Sequence, residues 1–283
     1  MSEWYSGGAE ADGDEMLACV GRLRDYAAEF GCSFHPSSRI VSAFERLLQQ
    51  GGDDHALLAH GARDVQELLF ICKQIAPVYP EKLKADLPDL IKGSALPSQE
   101  GRHQKARSLQ FEYLTAAELM EAGFRVTLEE PDVVFVHREH SLGLAAKRPI
   151  SKKRVVDRIE KGVDQIAERS EHGGIVALCL DRLLHDGGAS FVAGGDRAVD
   201  EGLRSLVLDL FWPYRKQAQA VLAPTRITGI MLSLTVVGCV QGDPMHANAS
   251  VWVGRPDGLV EETQLLKSIV RVLTRVSARA GRT

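Results

Sequence analysis

At 283 residues, 45% of them hydrophobic, the chain has the apolar content for one large domain or two small ones. Its formal net charge of -4 excludes nucleic-acid or membrane binding through bulk positive charge and leaves only a local basic patch for such a role. Five cysteines, Cys19, Cys32, Cys72, Cys179 and Cys239, show no CxxC spacing, so they signal neither a disulfide framework nor a zinc knuckle. A reducing, cytoplasmic setting is expected.

The acidic, glycine-rich start "MSEWYSGGAEADGDE" does not have the basic-then-apolar pattern of a secretory signal, and residues 1–13 are expected to form a disordered tail. Met16, Val20, Leu23, Ala27 and Phe30 then recur at helical spacing. A second helix is expected around Ile40, Val41, Phe44, Leu47 and Leu48, and a third through Val65, Leu68, Leu69, Cys72 and Ile75. Residues 14–93 therefore read as all-helical, and "KGSALPSQEGRHQ" marks a linker over 94–104. From 105 to 283 the pattern becomes α/β. A helix over 106–122 ends at Gly123, followed by strands at 124–129, 132–137 and 142–148. A charged helix at 152–170 and the apolar strand "GIVALCLD" at 174–181 come next. A helix over 197–221, kinked or divided at Pro213, precedes strands at 226–240 and 248–254 and a last helix at 258–280. The longest apolar stretch, Gly229 to Val240, is too short to span a bilayer, so no membrane role is expected.

The stretch "PDVVFVHREHSLGLAAKRP" reads as a β-hairpin. Folding it symmetrically between Glu139 and His140 sets Asp132 across from Lys147 on one face of the sheet. Such a pair can hold a divalent metal on the carboxylate and orient or deprotonate a water with the lysine. The plain alternative is a cross-strand salt bridge.

The order helix, three-stranded meander, helix, strand over residues 107–181 resembles the core of the PD-(D/E)XK, or restriction-endonuclease-like, nuclease superfamily. "FEYLTAAELMEAGF" is similar to its first core helix, "PDVVF" to the strand carrying the first acid, and "LAAKRP" to the strand bearing the lysine. The resemblance implies metal-dependent phosphodiester hydrolysis of nucleic acid, DNA first. Glu112 and Asp132 would hold Mg²⁺ or Mn²⁺ with the backbone carbonyl of Ala146, Lys147 would be the catalytic lysine, and Gln165 would match the glutamine of the second core helix. In the family pattern the residue two before the lysine is acidic, and here it is Ala145. Because alternate strand residues share a face, a carboxylate is missing beside Lys147. Glu130 could replace it, or an acid of the next helix, Asp157, Glu160 or Asp164. The alternative is a catalytically degenerate member of the fold that binds DNA, RNA or a protein partner.

Basic residues cluster just beyond the hairpin. Arg148, Lys152, Lys153, Arg154 and Arg158 are expected to contact phosphates, or else to form the solvated face of an amphipathic helix. "FWPYRK" at 211–216 could stack bases with Arg215 and Lys216 on phosphates, but aromatic residues at a helix kink are expected to be core.

Overall fold

The computed structural model describes residues 13–34, 38–42, 55–94, 96, 105–184, 192–193, 196–240, 243–255 and 264–270. The expected acidic tail, save Gly13, and most of the expected linker lie outside these residues.

Helical periodicity builds the first part. Helix α1 spans Gly13–Glu29, α2 His55–Ile75, α3 Pro80–Leu90 and α4 Lys105–Glu121. In α2 the residues that bury themselves, Val65, Leu68, Cys72 and Ile75, follow three- and four-residue steps, and in α3 Leu83, Leu87 and Leu90 do the same. Proline at the first turn of α3 costs no hydrogen bond, because that amide would be unpaired in any case. Helix α4 stops at Gly123, which takes a φ of +85°. The amide of Gly123 returns to Met120 O at 2.9 Å and that of Phe124 to Leu119 O at 3.0 Å, which satisfies carbonyls left open by the last turn.

The second part is a mixed sheet. Strands β1 (Arg125–Thr127), β2 (Val133–His137) and β3 (His140–Lys147) form an antiparallel meander. Helix α5 (Val155–Arg169) then carries the chain back to β4 (Gly174–Cys179), which lies parallel to β3. Short β5 (Val192–Ala193), helix α6 (Asp196–Phe211) and helix α7 (Arg215–Leu222) precede long strands β6 (Ile227–Val240) and β7 (Asp243–Gly254). The sheet order is β1-β2-β3-β4-β6-β5, with β7 antiparallel on β6. The protein is therefore of the α/β class. The helix expected over 197–221 is divided at Pro213, where a single 3₁₀ turn separates α6 from α7. Among the described residues, no helix is long and apolar enough to cross a membrane.

Strand alternation sorts the core onto two faces. Leu144, Ala146, Ile175 and Ala177 face α4 and join one buried cluster with Leu23, Val65, Leu68 and Leu87 of the N-terminal helices. Ala145, Val176, Leu178 and Leu232 face the other way, onto Val155, Ile159, Val163 and Ile166 of α5 and Leu203, Val207 and Ala218 of α6 and α7. The helices before residue 94 and the sheet after 105 thus share one core.

Charged groups fasten the same junction. Asp64 of α2 accepts from Arg39 Nε at 2.9 Å and from Arg107 Nη2 of α4 at 2.8 Å, and all three residues are buried. Gln110 Nε2 donates to Glu67 Oε2 at 2.5 Å, Arg63 Nε to Glu67 Oε1 at 2.6 Å, and Arg63 Nη1 lies 2.7 Å from Asp181 Oδ2. Asp181 Oδ1 in turn accepts the Thr235 amide of β6 at 2.9 Å. Burial alone would raise the Asp64 pKa, but the positive charges of Arg107 and then Arg39 hold it well below the usual carboxylate range. A carboxylate with a depressed folded pKa stabilises the fold above its unfolded value of 3.8, and that stabilisation is lost as pH falls toward the folded value. Asp64→Ala removes the carboxylate shared by two buried guanidinium groups and is expected to cost about 3–5 kcal/mol in chemical denaturation. Lys82→Ala, which removes a partly exposed i,i+4 pair, is expected to stay within about 1 kcal/mol.

Candidate active site at the hairpin end

The hairpin forms, but its register differs from the symmetric fold. His137 pairs with His140 across a two-residue loop, and Val133 pairs with Leu144, so paired numbers sum to 277 rather than 279. Arg138 at a φ of 56° allows the tighter turn. A shift of two residues preserves every face, and Asp132, just before β2, still meets the end of β3. Lys147 Nζ donates to Asp132 Oδ2 at 2.6 Å, and the Ala146 amide donates to the same oxygen at 2.8 Å. Gln165 Nε2 of α5 reaches Asp132 Oδ1 at 2.9 Å and Glu130 Oε2 at 2.6 Å.

Asp132 itself sits at a φ of 119°, a conformation that L side chains rarely adopt, and such strain costs on the order of 1–3 kcal/mol. Its amide donates to Glu129 O at 3.1 Å, which, with the three bonds to its carboxylate, holds the residue in place. Burial raises the Asp132 pKa, opposed by the Lys147 charge. Glu112 comes from α4, on the opposite side of the sheet from Gln165. Burial and then the Asp132 charge push its pKa up to about 7, with Lys147 opposing. Glu112, Asp132, Lys147 and Gln165 therefore act on one another at one end of the sheet, and Glu130 joins them through Gln165.

The donor set can be tested against a hard cation. In an extended strand a residue's N–H and C=O point to the same edge, so the Ala146 carbonyl faces the edge on which its amide meets Asp132. Two carboxylates and one carbonyl suit Mg²⁺, which keeps several of its waters. Among the described residues, no group of three or more His, Cys, Asp or Glu stands together as a metal cluster. Any cation would rest on Glu112, Asp132, the Ala146 carbonyl and water, with Glu130 one hydrogen bond removed.

Ala145 explains its own identity. It is fully buried beneath α5, where a Cβ built on Gly162 would come within 3.4 Å of the Ala145 Cβ and 3.0 Å of Val176. The helix backbone occupies the volume that a longer side chain would need. Of the other acids considered, Asp157 lies 3.5 Å from Lys161 and 3.8 Å from Arg154, Glu160 lines a separate groove, and Asp164 points to solvent.

The basic cluster divides. Lys152, Lys153 and Arg154 are exposed and Arg158 is half-buried. Arg148 does not belong with them: it is buried, facing Cys179 and Asp181. One step along a strand reverses the face, so Lys147 and Arg148 turn to opposite sides. The expectation that "FWPYRK" is core holds for Phe211 but not for Trp212, which is exposed. Sequence reasoning also missed the buried charges around Asp64, because residues 39, 64, 107 and 181 carry no local pattern. Comparison with protein-family models, curated proteins and solved structures gave no match.

Two outcomes test this geometry. In carboxyl ¹³C NMR of the metal-free protein, Glu112 is expected to titrate near 7, assigned by loss of its signal in Glu112→Gln. Asp132→Asn should lower that value and Lys147→Ala should raise it, since one removes a neighbouring negative charge and the other a positive one. Ala145→Asp, an apparent repair of the motif, should destabilise the fold by about 3–5 kcal/mol in a denaturant titration, because it buries an unpaired charge under α5.

Proposed function

We propose that the protein hydrolyses phosphodiester bonds of DNA with the help of Mg²⁺ or Mn²⁺, as a restriction-endonuclease-like α/β enzyme. The observation that carries this reading is the 2.6 Å contact of Lys147 Nζ with Asp132 Oδ2, framed by Gln165 on the other oxygen and by Glu112. The succession of α4, the β1–β3 meander, α5 and β4 supports it as the element order of that nuclease core. A bound cation would supply charge to the scissile phosphate and lower the pKa of a coordinated water. Glu112 and Asp132 would hold the ion with the Ala146 carbonyl. Lys147 would position the attacking water or take its proton, and Gln165 would keep Asp132 oriented. Because Glu112 must be ionised to bind a cation, Mg²⁺ affinity should rise with pH through about 7.

A second reading is a catalytically degenerate nuclease fold that binds nucleic acid or a protein. It is favoured by the burial of Ala145 and by the three protein hydrogen bonds that already engage Asp132. Cleavage of plasmid and single-stranded DNA with Mg²⁺ or Mn²⁺ separates the two. Wild type should cut, Lys147→Ala and Asp132→Ala should lose at least about 10²-fold in rate, and EDTA should abolish the activity. A wild type that leaves every substrate intact supports the degenerate fold.

A further inference from the structure

We infer that the groove between the start of α5 and helix α7, together with the exposed Trp212 of the turn that also supplies Tyr214, is a track for single-stranded DNA; the choice of DNA rests on the proposed hydrolytic reading. The groove has a volume of about 540 Å³ and is lined by Lys152, Lys153, Tyr214 and Gln217, with Glu160 as its acid. Lys216 and Arg154, next in sequence to the groove residues Gln217 and Lys153, are exposed as well. Trp212 is 60% exposed, the most exposed large hydrophobic side chain among the described residues. The Arg215 guanidinium lies 3.5 Å from its ring centroid, so a cation backs one face of an indole that is otherwise largely exposed.

An exposed indole is a poor surface for water and a good platform for a base, and the lysines that line the groove suit a phosphate backbone. Only an unpaired strand offers free base faces for stacking, which is why the occupant is single-stranded rather than duplex. The position fits as well. Lys147 ends β3 and points to the α5 side, like Ala145, and the chain then runs directly into Lys152 and Lys153. From Val156 at the groove to Gln165 at the hairpin, α5 advances nine residues, about 13.5 Å at 1.5 Å per residue, and makes two and a half turns, so the two side chains stand on opposite flanks of the helix. A strand lying in the groove would reach the hairpin end around the start of α5, past the stretch that joins Lys147 to Lys152.

The test is fluorescence anisotropy with a labelled oligothymidylate and with a duplex of equal length, in EDTA so that no hydrolysis intervenes. Wild type is expected to prefer the single strand, with its tryptophan fluorescence quenched on binding. Trp212→Ala should weaken binding by roughly 5- to 100-fold, the effect of one lost base stack, while Trp212→Phe should recover most of it. Lys152→Ala with Lys153→Ala should reduce the slope of log K against log salt by about 1.4. Circular dichroism verifies that these surface variants are folded. No binding of the single strand, equal binding of duplex, or binding unchanged by all these variants would overturn the track. Cleavage assays on the same preparations keep the two ideas apart. Binding that depends on the groove without any cleavage retains the track and removes hydrolysis. Cleavage with binding indifferent to Trp212 and the lysines does the reverse.

Discussion

The fold depends on a buried carboxylate shared by two arginines. Asp64 stands between Arg39 and Arg107, and through Gln110, Glu67, Arg63 and Asp181 the polar chain reaches the amide of Thr235 in the sheet. Three guanidinium groups and three carboxylates out of water would be prohibitive one at a time, and together they satisfy each other. The consequence is geometric. Helix α2 cannot slide on α4, and α4 cannot slide on the sheet, without unpairing a buried charge. Since α4 also carries Glu112, the same charges that hold the N-terminal helices down determine how that carboxyl meets the hairpin.

Helix α5 governs the other side of the site. Its strongly one-sided pattern buries Val155, Ile159, Val163 and Ile166, and Gly162 lets its backbone settle onto Ala145 and Val176. Close approach brings Gln165 within reach of Asp132 and Glu130, and it leaves no space for an acid at position 145. The alanine at position 145 and the placement of Gln165 therefore have one cause. Beside Lys147 the chain has helix packing and a carboxamide that ties Asp132 to Glu130. The electrostatic result is an acid-rich corner in which burial and then the Asp132 charge push the Glu112 pKa up to about 7.

Much of the fold was legible from periodicity. Three- and four-residue spacing located α1, α2, α4 and α5, Gly123 marked the end of α4, and alternation located the meander and β4. The hairpin register was out by two, because symmetric folding takes no account of an arginine that accepts a positive φ at 138. Strand β7 begins at Asp243 rather than 248, since its pairing to β6 overrides the weak local pattern of "DPMHA". The basic run after the hairpin was read as one surface, yet alternation sends Arg148 inward while the chain beyond it turns out to solvent.

By itself the sequence determined that Asp132 and Lys147 share one face at the end of the hairpin, because strand alternation is a local property of the chain; Glu112 and Gln165 came only from the resemblance of their helices to a nuclease core. It also determined the α/β order of elements. Only the tertiary structure decided that Glu130 reaches Gln165, that Ala145 lies under a helix backbone, that Arg148 joins Asp181, and that Trp212 faces solvent. Each of those is a contact between segments distant in sequence or a matter of which surface the rest of the chain covers. Such contacts are set by the packing of the whole molecule, and no local period encodes them.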